Sequence, residues 1–161
     1  MNNFTRADWL RWGLVTVGVA AAASPLSFLL WPAPAGVATP PADILPLLIP
    51  IAVVIPALTF GLGVAFILFG WKLVSAGHSS LLSRASFVSI GWLLMNWWPH
   101  SNFHRVSNGW GMLTAIDYFF HATAIAATFI VAVFFLTVIR ERQGVTEIER
   151  GAPELASAST R

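Results

Sequence analysis

The sequence predicts an all-α integral membrane protein, a polytopic bundle of four transmembrane helices with both termini in the cytoplasm. Three observations predict it. Hydrophobic residues make up 57% of the 161 residues and charged residues only 10%, whereas a soluble domain carries about 25% charged residues. Four apolar runs are long enough to cross a hydrocarbon core. With four crossings, eight of the nine basic residues fall on one side.

The first span covers about residues 12–31. Its length of roughly 29 Å matches the hydrocarbon thickness. Trp12 and Trp31 frame it where amphipathic rings prefer to sit. Gly18, Ala20, Ala21, Ala22, Ala23 and Ser24 form a small-residue cluster that lets another helix approach, and Pro25 predicts a kink. Ala33-Pro34-Ala35 resembles a cleavage site, but the long apolar stretch and its tryptophan frame predict an uncleaved span.

The second span covers 44–74. Asp43 is placed to cap its start, and Pro46, Pro50 and Pro56 predict a bent first half. Trp71 and Lys72 mark its far interface. The third span covers 81–98, with Arg84 at the near interface. Pro99 disfavours continuing the helix through Trp98. The fourth span covers 112–139, with Ala122, Ala126, Thr123 and Ala127 as small faces at helical spacing. Residues 1–11 then form a cytoplasmic N-terminus, 12–143 the four-helix transmembrane domain, and 144–161 a disordered cytoplasmic tail.

Charge sets the orientation. Arg6, Arg11, Lys72, Arg84, Arg140, Arg142, Arg150 and Arg161 share one side, and only Arg105 lies on the other. Positive charge accumulates in the cytoplasm, so the topology is N-in and C-in. The short, Arg-rich ends fit a bacterial cytoplasmic membrane. The basic residues form no stripe, which argues against nucleic acid as a partner. The lipid bilayer is the expected partner, with a second copy or other membrane subunits meeting the small-residue faces.

The chain has no cysteine. That excludes thiolate metal sites, iron–sulfur clusters and thiol redox catalysis. Four histidines remain. His78 reads as a solvated loop residue. His100, His104 and His121 fall together on the outer side, with Asp117. Asp117 and His121 are four apart on a helix and share a face; His100 and His104 are also four apart and share one if Pro99 opens a short helix. Three imidazoles and a carboxylate suit a transition metal such as Cu, Zn or Fe. Asp117 is then a ligand or orients His121, and Asn96, one turn before His100, is a supporting group.

Two other readings of the same cluster stand beside the metal site. One is a polar network that ties the third and fourth spans together in a non-catalytic scaffold or accessory subunit. The other is haem held between His121 and His100 or His104, with Arg105 at a propionate. Ionisable groups one turn inside an apolar helix are costly, and this makes His121 the least easily explained as a rim residue.

Overall fold

A chain with this much apolar surface satisfies its backbone through helices, and every regular element among the described residues is helical. The computed structural model describes residues 4–32, 41–75, 80–106 and 112–158, with the side chains of 112–114, 142 and 144–158 left aside. Three helices are long and apolar enough to cross a membrane: Arg6–Leu30, Leu45–Phe69 and Ala115–Glu141.

Helix α1 runs from Arg6 to Leu30. It starts earlier than its apolar stretch because Thr5 and Asp8 form a capping box. The Thr5 hydroxyl accepts from the Asp8 amide at 3.2 Å, and the Asp8 carboxylate accepts from the Thr5 amide at 3.0 Å. Two donors that a helix start leaves orphaned are thereby satisfied. The small-residue cluster is only partly a packing face. Ala20, Ala23 and Ser27 are buried, whereas Gly18, Ala21 and Ala22 are exposed.

The proline-rich second run is helical throughout Leu45–Phe69 but not a regular α-helix. It comprises α2 (Leu45–Ile49), a π-helical turn (Pro50–Val54), α3 (Ile55–Phe69) and α4 (Trp71–Ser75). Prolines 46, 50 and 56 supply no amide to the i→i−4 ladder. The backbone accommodates this by slipping to a wider turn, in which the Ile55 amide reaches the Pro50 carbonyl. Asp43 does not cap this run: the N-cap is Ile44, with no side-chain hydrogen bond. Turn bonds to the Pro41 and Ile44 carbonyls hold the entry instead.

Helix α5 runs unbroken from Leu81 to Val106, through Pro99. The expected stop at Trp98 is therefore overturned. Hydrogen bonds on both sides of the proline hold the continuation. The Asn102 side-chain amide donates to the Trp98 carbonyl at 2.9 Å, and the Ser101 hydroxyl donates to the Ala52 carbonyl at 3.2 Å. Ala52 is four residues before Pro56, whose missing N–H frees that carbonyl for a tertiary donor.

Helix α6 runs from Met112 to Ala158. It continues as helix across 144–158, where composition predicts a disordered tail.

The packing order is α1 on α3, α3 on α5 and α5 on α6. Trp12, Ala65, Phe66 and Val74 form one buried cluster, and Ala20, Ala23, Ala57 and Trp98 form another. Trp12, expected to frame the first span, and Trp98, at the expected end of the third, are thus core rings. Helix α6 is the peripheral element: 6% of its apolar stretch is buried, against 39% for Leu45–Phe69.

Helices α1 and α3 touch through backbone at Gly61, where a Cβ would collide with the Thr16 carbonyl and crowd the Ala20 amide. Gly61→Val should therefore destabilise the bundle by about 1–3 kcal/mol. Gly18, with open space around it, provides the control, and Gly18→Ala should be neutral or stabilising by up to about 1 kcal/mol. Thermal unfolding in detergent measures both; equal transitions for the two variants would refute the close contact.

Candidate metal centre

The continuation of α5 past Pro99 places the histidines. In an unbroken helix, His100 and His104 lie one turn apart on one face. The same face carries Trp92 and Asn96 at four-residue steps. Opposite it, the first turns of α6 present Asp117 and His121. Contacts pair His100 with Asp117, and Trp92 with Thr123 deeper in the bundle, so the two helices run antiparallel.

All four predicted residues come together. Nε2 of His100, Nε2 of His104 and Oδ1 of Asp117 form a nearly equilateral triangle, with sides of 2.9, 3.0 and 3.2 Å. His121 Nδ1 lies 3.5 Å from the same Asp117 oxygen. One candidate ligand atom from each residue falls within 4.8 Å of all the others. Ligand atoms about 2.0–2.1 Å from a zinc-sized ion stand about 3.3 Å apart at tetrahedral angles, close to the triangle's sides.

The triangle poses a proton problem. Each edge, read as a hydrogen bond, needs one donor and one acceptor. An Nε2–H hydrogen points along one direction, and a carboxylate oxygen only accepts. Neutral imidazoles cannot satisfy all three edges, whereas a single cation bound by all three atoms would satisfy them together.

His121 has a defined tautomer. Its Nδ1 lies 2.8 Å from the Asp117 carbonyl, which only accepts, so Nδ1 carries the proton and Nε2 keeps the lone pair. A ring N–H bonded to a backbone carbonyl is a common way of orienting a metal-ligating histidine.

Burial, together with the neighbouring His104 and His121 rings, holds the His100 imidazole below its ordinary value of 6.5, against the opposing pull of Asp117. Its neutral, metal-competent form is therefore favoured near neutral pH. His100 is half-buried, whereas His104 and His121 are exposed, so the site is open on one side.

Two expected roles change. No hydrogen bond joins Asn96 to the cluster among the described residues, although Asn96 is buried and its Oδ1 lacks a partner. Arg105 does not face the histidines. Its guanidinium donates to the carbonyls of Ser27 at 2.7 Å and Trp31 at 3.0 Å, and it lies 4.9 Å over the Phe28 ring. It thus caps the end of α1, whose last carbonyls have no helical partner. The haem reading loses support on geometry. The His100 ring meets those of His104 and His121 edge to face, at centroid distances of 4.5 and 4.8 Å, leaving no slot for a porphyrin between them. His78 lies outside the described residues.

Ser27, Trp98 and Asn102 support the site from behind and were not singled out from sequence. The indole of Trp98 donates to the Ser27 hydroxyl at 2.8 Å, and Asn102 donates to the same oxygen at 3.2 Å. The available signal was an Asn four residues after a Trp across a proline, opposite a serine embedded in an apolar span.

The depressed His100 value carries a stability consequence. Below 6.5 the unfolded chain takes up a proton at this position before the folded one does, so stability falls as pH drops from about 7 through the lowered value. With a chelator present, the wild-type melting temperature should decline over that window more steeply than that of His100→Gln. Parallel curves would remove His100 as the responsible group. Compared with protein-family models, with curated proteins and with solved structures, the chain gives no match.

Proposed function

We propose that this chain is a four-span membrane protein that binds a transition metal at the extracytoplasmic ends of its third and fourth spans, in a redox or metal-handling role. The observation that carries this reading is the triangle of His100, His104 and Asp117, with His121 beside it. Two imidazoles and a carboxylate on one triangular face suit non-haem Fe(II), and with a third imidazole also Zn or Cu. The exposed side leaves room for a further ligand, the condition for chemistry at a bound metal.

Helix α5 serves as the third span and brings the number of crossings to four. Its 26 residues reach about 39 Å, more than enough to cross. Its hydropathy is low because Ser83, Ser86, Ser89, Asn96 and Asn102 lie on it, and all five are buried in the bundle. The distribution of arginines supports N-in and C-in, with the site outside, in a bacterial cytoplasmic membrane.

A second reading has its own support. Helix α6 packs mainly on α5, and the cluster fastens their outer ends. On that reading the chain is a scaffold or accessory subunit, and the cluster is a polar clamp for a bundle that meets other subunits or a second copy.

Elemental analysis of untagged protein purified in mild detergent separates the two. The metal reading expects about one metal per chain, a melting temperature raised by added metal, and loss of both in His100→Ala and Asp117→Asn. In His121→Ala the metal should fall while the protein still inserts. Protein that takes up no metal when supplied, and whose variants lose only stability, would leave the clamp as the function of the cluster.

A further inference from the structure

The two halves of the metal centre are held differently. Asp117 and His121 stand on an uninterrupted stretch of α6. His100 and His104 stand on the part of α5 that follows Pro99. A proline leaves the carbonyl four residues before it, here that of Met95, without its helical donor and crowds it. The α5 pair therefore faces the cluster only if groups outside α5 hold this turn in helical form. We propose that Ser27, on α1, is a positioning residue of the metal centre, whose hydroxyl fixes the α5 turn that presents His100 and His104. The proposal rests on the metal reading, and it adds a third helix to a site whose ligands come from two.

Three observations carry it. The first is bracketing. The Ser27 hydroxyl accepts from the Trp98 indole at 2.8 Å, one residue before Pro99, and from the Asn102 side-chain amide at 3.2 Å, two residues after His100. Asn102 closes the ring by donating to the Trp98 carbonyl at 2.9 Å. The ring thus encloses the turn in which His100 is the middle residue. The second is fixity. Ser27 is fully buried and donates to the Ala23 carbonyl at 3.0 Å, which leaves its lone pairs for α5. The Trp98 ring lies between those of Trp31 at 5.2 Å and Phe60 at 4.7 Å, so its N–H has one direction. The third is direction. Trp98 and Asn102 are each two residues from His100, about 200° round the helix. Among the described residues, the hydroxyl's bonds reach Ala23, Trp98 and Asn102 and none of the four cluster residues. Ser27 therefore acts on the histidines through the α5 backbone. Ligands work only within about 0.5 Å of their productive geometry, and a turn released at Pro99 has no such restraint.

Ser27→Ala removes the acceptor and keeps the bond from Arg105 to the Ser27 carbonyl. Val74→Ala is the control. It takes two methyls from the buried cluster around Trp12, which lies about 22 Å along α1 from Ser27, and leaves the network untouched. Full-length wild type and variants in mild detergent are titrated with Co(II) alone, followed by visible absorption, and are melted without metal. Ser27→Cys, which keeps the volume and offers a weaker acceptor, serves if the alanine protein does not fold, and should also bind Co(II) less tightly than wild type.

Both Ser27→Ala and Val74→Ala should melt below wild type. Only Ser27→Ala should bind Co(II) about tenfold more weakly, the lower end of what loss of a supporting group costs a metal site. Its visible cobalt bands should also change, because the ligand geometry has changed. Unchanged affinity and spectrum in Ser27→Ala overturn the proposal. So does an equal loss of affinity in Val74→Ala, which reduces the effect to stability alone. Wild type that takes up no Co(II) refutes the metal reading, and the proposal falls with it. A failure confined to the Ser27 variants leaves the metal reading standing.

Discussion

Polar groups on α5 must find partners inside a largely apolar bundle, and the rest of the structure depends on how they do so. The Ser27 hydroxyl is the centre of the solution. It donates to the Ala23 carbonyl at 3.0 Å and accepts from Trp98 and Asn102. A hydroxyl has one donor and two acceptor sites, so its capacity is filled. Asn102 is fully buried and spends its amide on Ser27 and the Trp98 carbonyl. Its carbonyl oxygen lies 3.3 Å from the Arg105 guanidinium, which also caps α1. A buried group left without such partners costs about 1–3 kcal/mol. The network therefore holds the last turns of α5 in one conformation against the end of α1.

That conformation decides whether there is a site. Residue spacing alone puts His100 and His104 on a common face only if the backbone between them is helical. Pro99 argues locally for an ending, and the proline rule is sound for an isolated helix. Tertiary hydrogen bonds override it here, and two of them use groups that other prolines left free or that only the fold brings near. The Ala52 carbonyl is one such group and the end of α1 is the other. The continuation of α5 is thus a product of α1 and the π-helical turn, although the histidines it displays belong to α5.

This explains what was legible in the sequence. The all-helical class, the approximate places of the long helices and the membership of the cluster follow from local quantities: hydropathy, length and four-residue spacing. Asp117 and His121 were the easiest, since nothing interrupts the helix between them. The π-helical turn was signalled by three prolines, but their pattern does not say whether the chain bends, kinks or widens. The Thr5–Asp8 capping box was readable from Thr-Arg-Ala-Asp and lay outside the apolar run that drew attention. That Trp12 and Trp98 turn inward was not readable, because position along a span does not reveal which face a ring occupies. Ser27, Asn102 and Arg105 needed the third dimension, because their partners lie more than 70 residues away in the chain.

The metal and clamp readings describe one physical object in two states. Helix α6 packs mainly on α5, and most of that contact is apolar. In lipid, apolar contact gives little net drive for association, because the tails it displaces are equally apolar. Polar groups at the helix ends then carry a large share of the specificity of pairing. Trp92 and Thr123 supply one such link, at 3.1 Å, and the His/Asp triangle supplies the other. With a proton in the triangle, its edges are only partly satisfied and the link is weak. With a metal in it, every edge is satisfied at once and the link is strong. On the metal reading, occupancy and the docking of α6 are therefore coupled, and by thermodynamic reciprocity whatever stabilises the α5–α6 contact would also tighten the metal.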